Sequence, residues 1–322
     1  MSSEVITEYY KRINKVNFLQ DDKFITPREI KEYLDQRIIG QEAAKRAAAM
    51  LVCNHINNVP GSLLMAGPTG SGKSEIWRLL EKDFGSAMIR IIDSTRLSGD
   101  GWKGSFHLRD IWNGIPESRR GKVIIVFDEF DKVTCEPVGS TYNNYSNVIQ
   151  NNLLTMLSRS TLRFGAEDRL PAFDVDCSNI SIVMLGAFER LREMQKARQG
   201  SIGFGSPAAQ TSTDSNAPIT VEDLIAAGMR REICGRISRI VQMDEPDDAT
   251  FEKIAYMALE DLKVQHNCDI SVDPALMSRL AIEAKESGLG ARYVQHRLSN
   301  MLDDIRYDLP WADSYHLSCG QS

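Results

Sequence analysis

One short stretch, Gly67-Pro68-Thr69-Gly70-Ser71-Gly72-Lys73-Ser74, constrains this chain more than any other. It follows the apolar run SLLMA and precedes EIWRLLEKDFG, so it reads as a loop between a strand and a helix. In that setting the glycines let backbone N–H groups wrap phosphate oxygens, and the helix start adds partial positive charge. Lys73 is expected to reach the β- and γ-phosphates and Ser74 to ligate Mg²⁺. The stretch predicts a nucleoside triphosphate site on a parallel sheet.

A second element, KVIIVFDEFDK, lies downstream from Lys122 to Lys132. Val123 to Phe127 form an unbroken apolar run, as expected of a central strand covered on both faces, and it ends in Asp128 and Glu129. Asp128 is placed to hold Mg²⁺ through its water shell, and Glu129 to polarise an attacking water. Hydrolysis as well as binding is implied. Further strands are expected at Met88–Ile92 and Ile180–Leu185, with helices between, which gives an α/β domain with a parallel sheet flanked by helices.

Beyond Pro246 the pattern turns helical, and in the last segment Ala291, Val294, Leu298, Met301, Leu302 and Ile305 share one face. The expected division is a helical extension over 1–25, a large ATPase domain over 26–245 and a smaller, mainly helical (α+β) domain over 246–322.

Composition excludes several classes of function. A formal net charge of −6 gives no general attraction to nucleic acid or anionic membranes. The 6 cysteines include no C-x-x-C pair and the 5 histidines do not cluster with them, so neither structural zinc nor a disulfide framework is expected, and Cys53 and His55 read as packing residues. The N-terminus is polar and no run of about 18 apolar residues occurs, which predicts a cytoplasmic protein without a membrane span. One stretch is anomalous. GSIGFGSP puts Ile202 and Phe204 among helix- and strand-breaking residues, just before the linker-like AAQTSTDSNAP, where they cannot easily be core. Apolar side chains on such a loop point to a protein partner.

The phosphate loop, the DEFDK strand and the helical C-terminal part together resemble the AAA+ ATPases, and in detail the ClpX-like unfoldases of the Clp/Hsp100 family. The resemblance extends through ITPREIKEYLDQRIIGQEAAKRAAAMLVCNHI, GAF at Gly186–Phe188, IGFG at Ile202–Gly205, EDLIAAGMRREICGRI and GLGAR. It implies ATP and Mg²⁺ as cofactors, with Ile38 and Ile39 flanking the adenine. Arg236 matches the arginine finger, which enters a neighbouring subunit's site and so implies a ring, here a homo-hexamer. Arg292 matches the sensor-2 arginine that couples nucleotide state to domain rotation. In Gly101-Trp102-Lys103-Gly104 the aromatic matches the pore loop that grips a threaded polypeptide, with Lys103 in place of a small apolar residue. A second pore loop is expected between Val133 and Asn147.

Ile202-Gly203-Phe204 match the tripeptide that docks on a ClpP-like peptidase, the flexible tether accommodating mismatched ring symmetries. Unfolded or tagged proteins are the implied substrates. The alternative is a stand-alone remodelling ATPase, HslU-like or regulatory. The short distance from Asp128 to Ile180 leaves no room for the large inserted domain of HslU. Three departures from the family stand out. No zinc domain with cysteine pairs precedes ITPREI, RREICGR replaces Pro-Glu-Phe-Ile-Gly-Arg, and no polar sensor side chain stands before Gly186.

Overall fold

The computed structural model describes residues 26–98, 106–134, 143–165, 171–189, 191, 218–310 and 312–319. Residues 1–25, Trp102, Lys103 and Ile202-Gly203-Phe204 lie outside the described residues. The chain divides into two compact units. One comprises Met1–Arg37, Glu42–Gly67 and Lys73–Met243, the other Ile38–Gln41, Pro68–Gly72 and Asp244–Ser322.

The first unit opens with helix α1 (Pro27–Asp35). Thr26 and Glu29 form a reciprocal capping box at its start, and Pro27 supplies a preset φ where no N–H is needed. Helix α2 (Glu42–Ile56) follows. Lys45, 2% exposed, bridges to Asp35 at 2.5 Å and Glu42 at 2.7 Å, while Lys31 meets the same carboxylates at 2.8 and 2.6 Å. Burial pushes the Asp35 carboxyl up, but the two ammonium groups outweigh it and hold its pKa below the ordinary value. Hydrogen bonds from Lys31 and Lys45 lower Glu42 likewise. The network ties the two helices together.

Next come β1 (Ser62–Ala66), α3 (Lys73–Phe84), β2 (Ile89–Asp93), β3 (Ile124–Asp128), α4 (Asn143–Leu157), β4 (Ser181–Gly186) and β5 (Arg239–Gln242). The strands form one parallel sheet in the order β2-β3-β4-β1-β5. Every residue of β1 and β4 is buried, and Ile124 to Phe127 of β3 are 0% exposed. Strands with no wet face read as continuous apolar runs, which is why they are visible in the sequence. The expected strands at Met88–Ile92 and Ile180–Leu185 each run one residue later. β5, at the sheet edge, goes from exposed Arg239 through half-buried Ile240 to buried Val241 and half-buried Gln242, and has no such run.

Two local structures brace this unit. An antiparallel hairpin, Thr161–Phe164 with Phe173–Asp176, packs Phe164 against Trp112 at 5.2 Å and Phe173 at 4.9 Å, with the Arg120 guanidinium 4.7 Å over the Phe173 ring. At the N-terminal edge of β4, buried His55 of α2 sets Nδ1 2.9 Å from Ser181 Oγ, which also accepts the Gly61 N–H at 3.1 Å. Burial lowers the His55 pKa, against an opposing hydrogen bond with the Lys122 backbone.

The second unit holds α5 (Asp248–His266), β6 (Asp269–Val272), α6 (Pro274–Ser287), α7 (Ala291–Asp308) and β7 (Ser314–Leu317). Leu276, Leu280, Val294, Leu298 and Leu302 are its fully buried centre, so the apolar face of α7 packs inward, with Ile305 at the margin. A parallel pair, β6 with β7, adds a strand element to the helices; its partners are far apart in sequence. Among the described residues no helix is long and apolar enough to cross a membrane.

Candidate nucleotide site

Because β1, β3 and β4 are neighbouring parallel strands, their C-terminal ends share one edge of the sheet. In open α/β sheets that edge is where ligands bind. The Gly67 N–H donates to the Gly186 carbonyl at 3.2 Å and the Phe130 N–H to the Leu185 carbonyl at 2.8 Å, so the segments leaving β1 and β3 are each fastened to β4. Lys73 begins α3 and is 8% exposed, its Nζ donating to the Gly67 carbonyl at 2.7 Å. The ammonium therefore bridges the two ends of the loop that the sequence assigns to phosphate.

At the end of β3, Asp128 is half-buried and Glu129 exposed. Glu129 takes φ +52°, a left-handed conformation that costs a residue with a Cβ about 1–2 kcal/mol. Its N–H donates to Asp128 Oδ1 at 3.1 Å. The turn is held just downstream. Asp131 is 5% exposed, and its Oδ2 accepts the Phe188 N–H at 3.1 Å. Sequence reasoning passed over Asp131, which looked like one more acid in a charged loop. Only the apolar residues around it, Phe130 and Val133, hinted that it faces inward.

The loop residues Pro68–Gly72 group with the second unit. Gly70 and Gly72 have φ of +78° and +92°, which glycine adopts without penalty. A Cβ built on Gly72 would lie 3.8 Å from Ile38 Cγ2, so Ile38 packs on the glycine, while Ile39 is only half-buried. Ser71 is 4% exposed and its Oγ has no hydrogen-bond partner among the described residues. A buried hydroxyl lacking a partner, beside glycines that leave the backbone bare, fits an oxyanion ligand such as a phosphate. In the same unit Gly70 meets Gly290, where a Cβ would come within 3.2 Å of Gly290 backbone atoms. Gly290 immediately precedes α7, whose second residue is the exposed Arg292.

Arg236 lies elsewhere. It follows a helical turn, Arg231–Cys234, anchored by Ile233 and Cys234 at 0% and 2% exposure, and precedes β5. Its side chain is exposed, with Nη1 donating to the Glu232 carbonyl at 2.8 Å. β5 runs parallel to β1, so Arg236 sits at the N-terminal edge of the sheet, opposite Gly67. Five residues of strand at about 3.3 Å each separate the two edges by about 16 Å, farther than an arginine side chain reaches.

Of the span expected to hold a second pore loop, Val133 to Asn147, both ends are helical, with a turn to Thr134 and α4 from Asn143, and residues 135–142 lie outside the described residues. Among the described residues no group of 3 or more His, Cys, Asp or Glu could hold a metal ion. Ser74 and Asp128 carry oxygens of the kind Mg²⁺ takes when phosphates and water complete its shell.

Comparison with known proteins covers part of this site by family model and most of the chain by relatives. The AAA domain (Cdc48 subfamily) matches residues 113–240. An ATP-dependent Clp protease ATP-binding subunit ClpX from Treponema denticola is 28% identical over 338 residues, covering 94% of this chain and 81% of that protein. The ClpX subunits of Borrelia duttonii and Borrelia recurrentis are each 26% identical over 325 residues, covering 88% of this chain and 75% of theirs.

Proposed function

We propose that this chain, a ClpX-like AAA+ ATPase at the level of the family, is a ring-forming protein unfoldase that pulls polypeptides through a central pore and delivers them to a ClpP-type peptidase. The AAA+ domain implies ATP hydrolysis. In this reading Gly67 to Ser74 hold the triphosphate, with Lys73 on its β- and γ-oxygens and Ser71 offering its buried hydroxyl. Ser74 and Asp128 hold Mg²⁺, which neutralises phosphate charge when bound. Glu129, kept at φ +52° beyond the strand end, takes the proton of the attacking water. Ile38 lies against the base, and Arg292 at the head of α7 senses the triphosphate. Residues 26–245 form the large domain and 246–322 the small one.

The observation that carries the ring is the place of Arg236. An arginine on the edge of the sheet opposite its own phosphate loop serves as a finger only for a neighbour's site. Trp102, with Lys103, grips the substrate, and Ile202-Gly203-Phe204 dock on the peptidase.

The test is size-exclusion chromatography with light scattering on Glu129→Gln in ATP and Mg²⁺, with and without a ClpP ring. A hexamer that co-elutes with ClpP, and loses it on Phe204→Ala, supports the reading. A hexamer that ignores its cognate ClpP overturns the peptidase link and leaves a stand-alone remodeller.

A further inference from the structure

We infer that Ser62 and Ser238 form a clasp that sets the direction of Arg236, making Ser62 a positioning residue for the finger. The inference rests on Arg236 acting as proposed above. Ser62, the first residue of β1, is 4% exposed, and its hydroxyl donates to the Arg236 carbonyl at 2.6 Å. The same oxygen accepts the Ser238 N–H at 2.8 Å and lies 3.1 Å from the Ser238 hydroxyl. Since the Ser62 proton is committed to Arg236, the Ser238 hydroxyl is the donor in that contact. Ser238 Oγ in turn lies 3.4 Å from the Ser62 N–H.

On its other side, the Arg236 N–H donates to the Ile233 carbonyl at 2.9 Å. Both backbone groups of Arg236 are thus engaged, one by its own helical turn and one by the sheet, while the side chain stays exposed. That gives a fixed root and an exposed head, held within its own turn by the bond to the Glu232 carbonyl. A charge that must meet another subunit's phosphate benefits from such a root, because less orientational freedom is lost when the contact forms. A serine at the start of an otherwise apolar strand also has no packing advantage over alanine or valine, and burying its hydroxyl is justified only by the bonds it makes.

The experiment compares Ser62→Ala, Ser62→Thr, Ser238→Ala and Arg236→Ala, with ATPase kcat and KM, ADP affinity by calorimetry and hexamer content measured on each. Losing one well-placed hydrogen bond should lower kcat about tenfold in Ser62→Ala, while KM, ADP affinity and assembly stay within about twofold. Ser62→Thr should restore kcat, and Ser62→Ala combined with Arg236→Ala should be no slower than Arg236→Ala alone. Ser238→Ala, on the exposed half of the clasp, should show a smaller loss of the same kind, and it decides the matter if Ser62→Ala does not fold. Full kcat in Ser238→Ala together with a folded, fully active Ser62→Ala overturns the clasp. So does additivity of the two losses in the double variant. Full kcat in Arg236→Ala would instead overturn the finger itself.

Discussion

Gly186 closes directly against Asp131: a Cβ on the glycine would stand 2.6 Å from Asp131 Oδ1 and 2.7 Å from Phe188 Cε2. The glycine therefore makes room for the buried carboxylate that caps the Phe188 N–H and steadies the turn carrying Asp128 and Glu129. Gly186→Ala should destabilise the protein by about 1–3 kcal/mol through overpacking. Urea unfolding followed by circular dichroism measures it, and an unchanged midpoint would mean the turn has slack that the packing does not show.

Glu129 holds its left-handed conformation at an energetic cost, which a glycine would not bear. Glu129→Gly should leave stability level or raised by up to about 1 kcal/mol, because relief of strain offsets the extra chain entropy of glycine. Turnover should fall in the same variant by about 10²–10⁴ if Glu129 is the base. Normal ATPase activity in either Glu129→Gly or Glu129→Gln would assign the proton transfer to another group. A paired urea titration and phosphate-release assay reads both effects.

Lys73 is almost wholly covered and already bonded across the loop. Lys73→Ala should reduce ATP affinity by at least about tenfold, the worth of one charge-assisted hydrogen bond. Isothermal calorimetry is the check, and wild-type affinity would place the phosphates elsewhere.

His55 gives a pH signature. Its folded pKa is below the unfolded value of about 6.5, so both states are neutral above that pH and its contribution to stability is complete. As pH falls below about 6.5 the unfolded chain takes up the proton first, and stability declines until the folded pKa is passed. His55→Phe should lack this component, so the stability difference between wild type and variant should shift toward the variant between about pH 8 and about pH 5. A difference flat with pH would show that His55 titrates alike in both states.

Trp102 is tested by function. Trp102→Ala should leave ATPase activity within about twofold while reducing unfolding of a tagged fluorescent protein severalfold, since an aromatic paddle transmits force without touching nucleotide. Unchanged unfolding would remove Trp102 from the pore.

The inner strands and the glycine-rich turn after β1 were legible because their causes are local. A strand with no wet face must be apolar throughout, and a turn at φ +78° and +92° calls for glycine, so β1, β3, β4, Gly70 and Gly72 declare themselves. β5 did not, because Arg239 and Gln242 lie at an edge that tolerates polar side chains. The β6–β7 pair joins Asp269 to Ser314 across two helices, a relation that no window of sequence contains. Asp131 and Ser62 escaped for a different reason. Each is a polar residue whose partner, Phe188 or Arg236, comes near only after folding.

The five residues of β1 also bear on how such a chain can change over time. The strand is hydrogen-bonded on both sides, runs into the glycine-rich turn of residues 67–74 and begins with the hydroxyl that holds the Arg236 carbonyl. Gaining or losing one residue there would turn every side chain to the opposite face and shift one terminus against the other. Substitution within its buried apolar positions is open to drift, but length is not, so insertions and deletions between Ser62 and Gly67 should be absent from any working descendant.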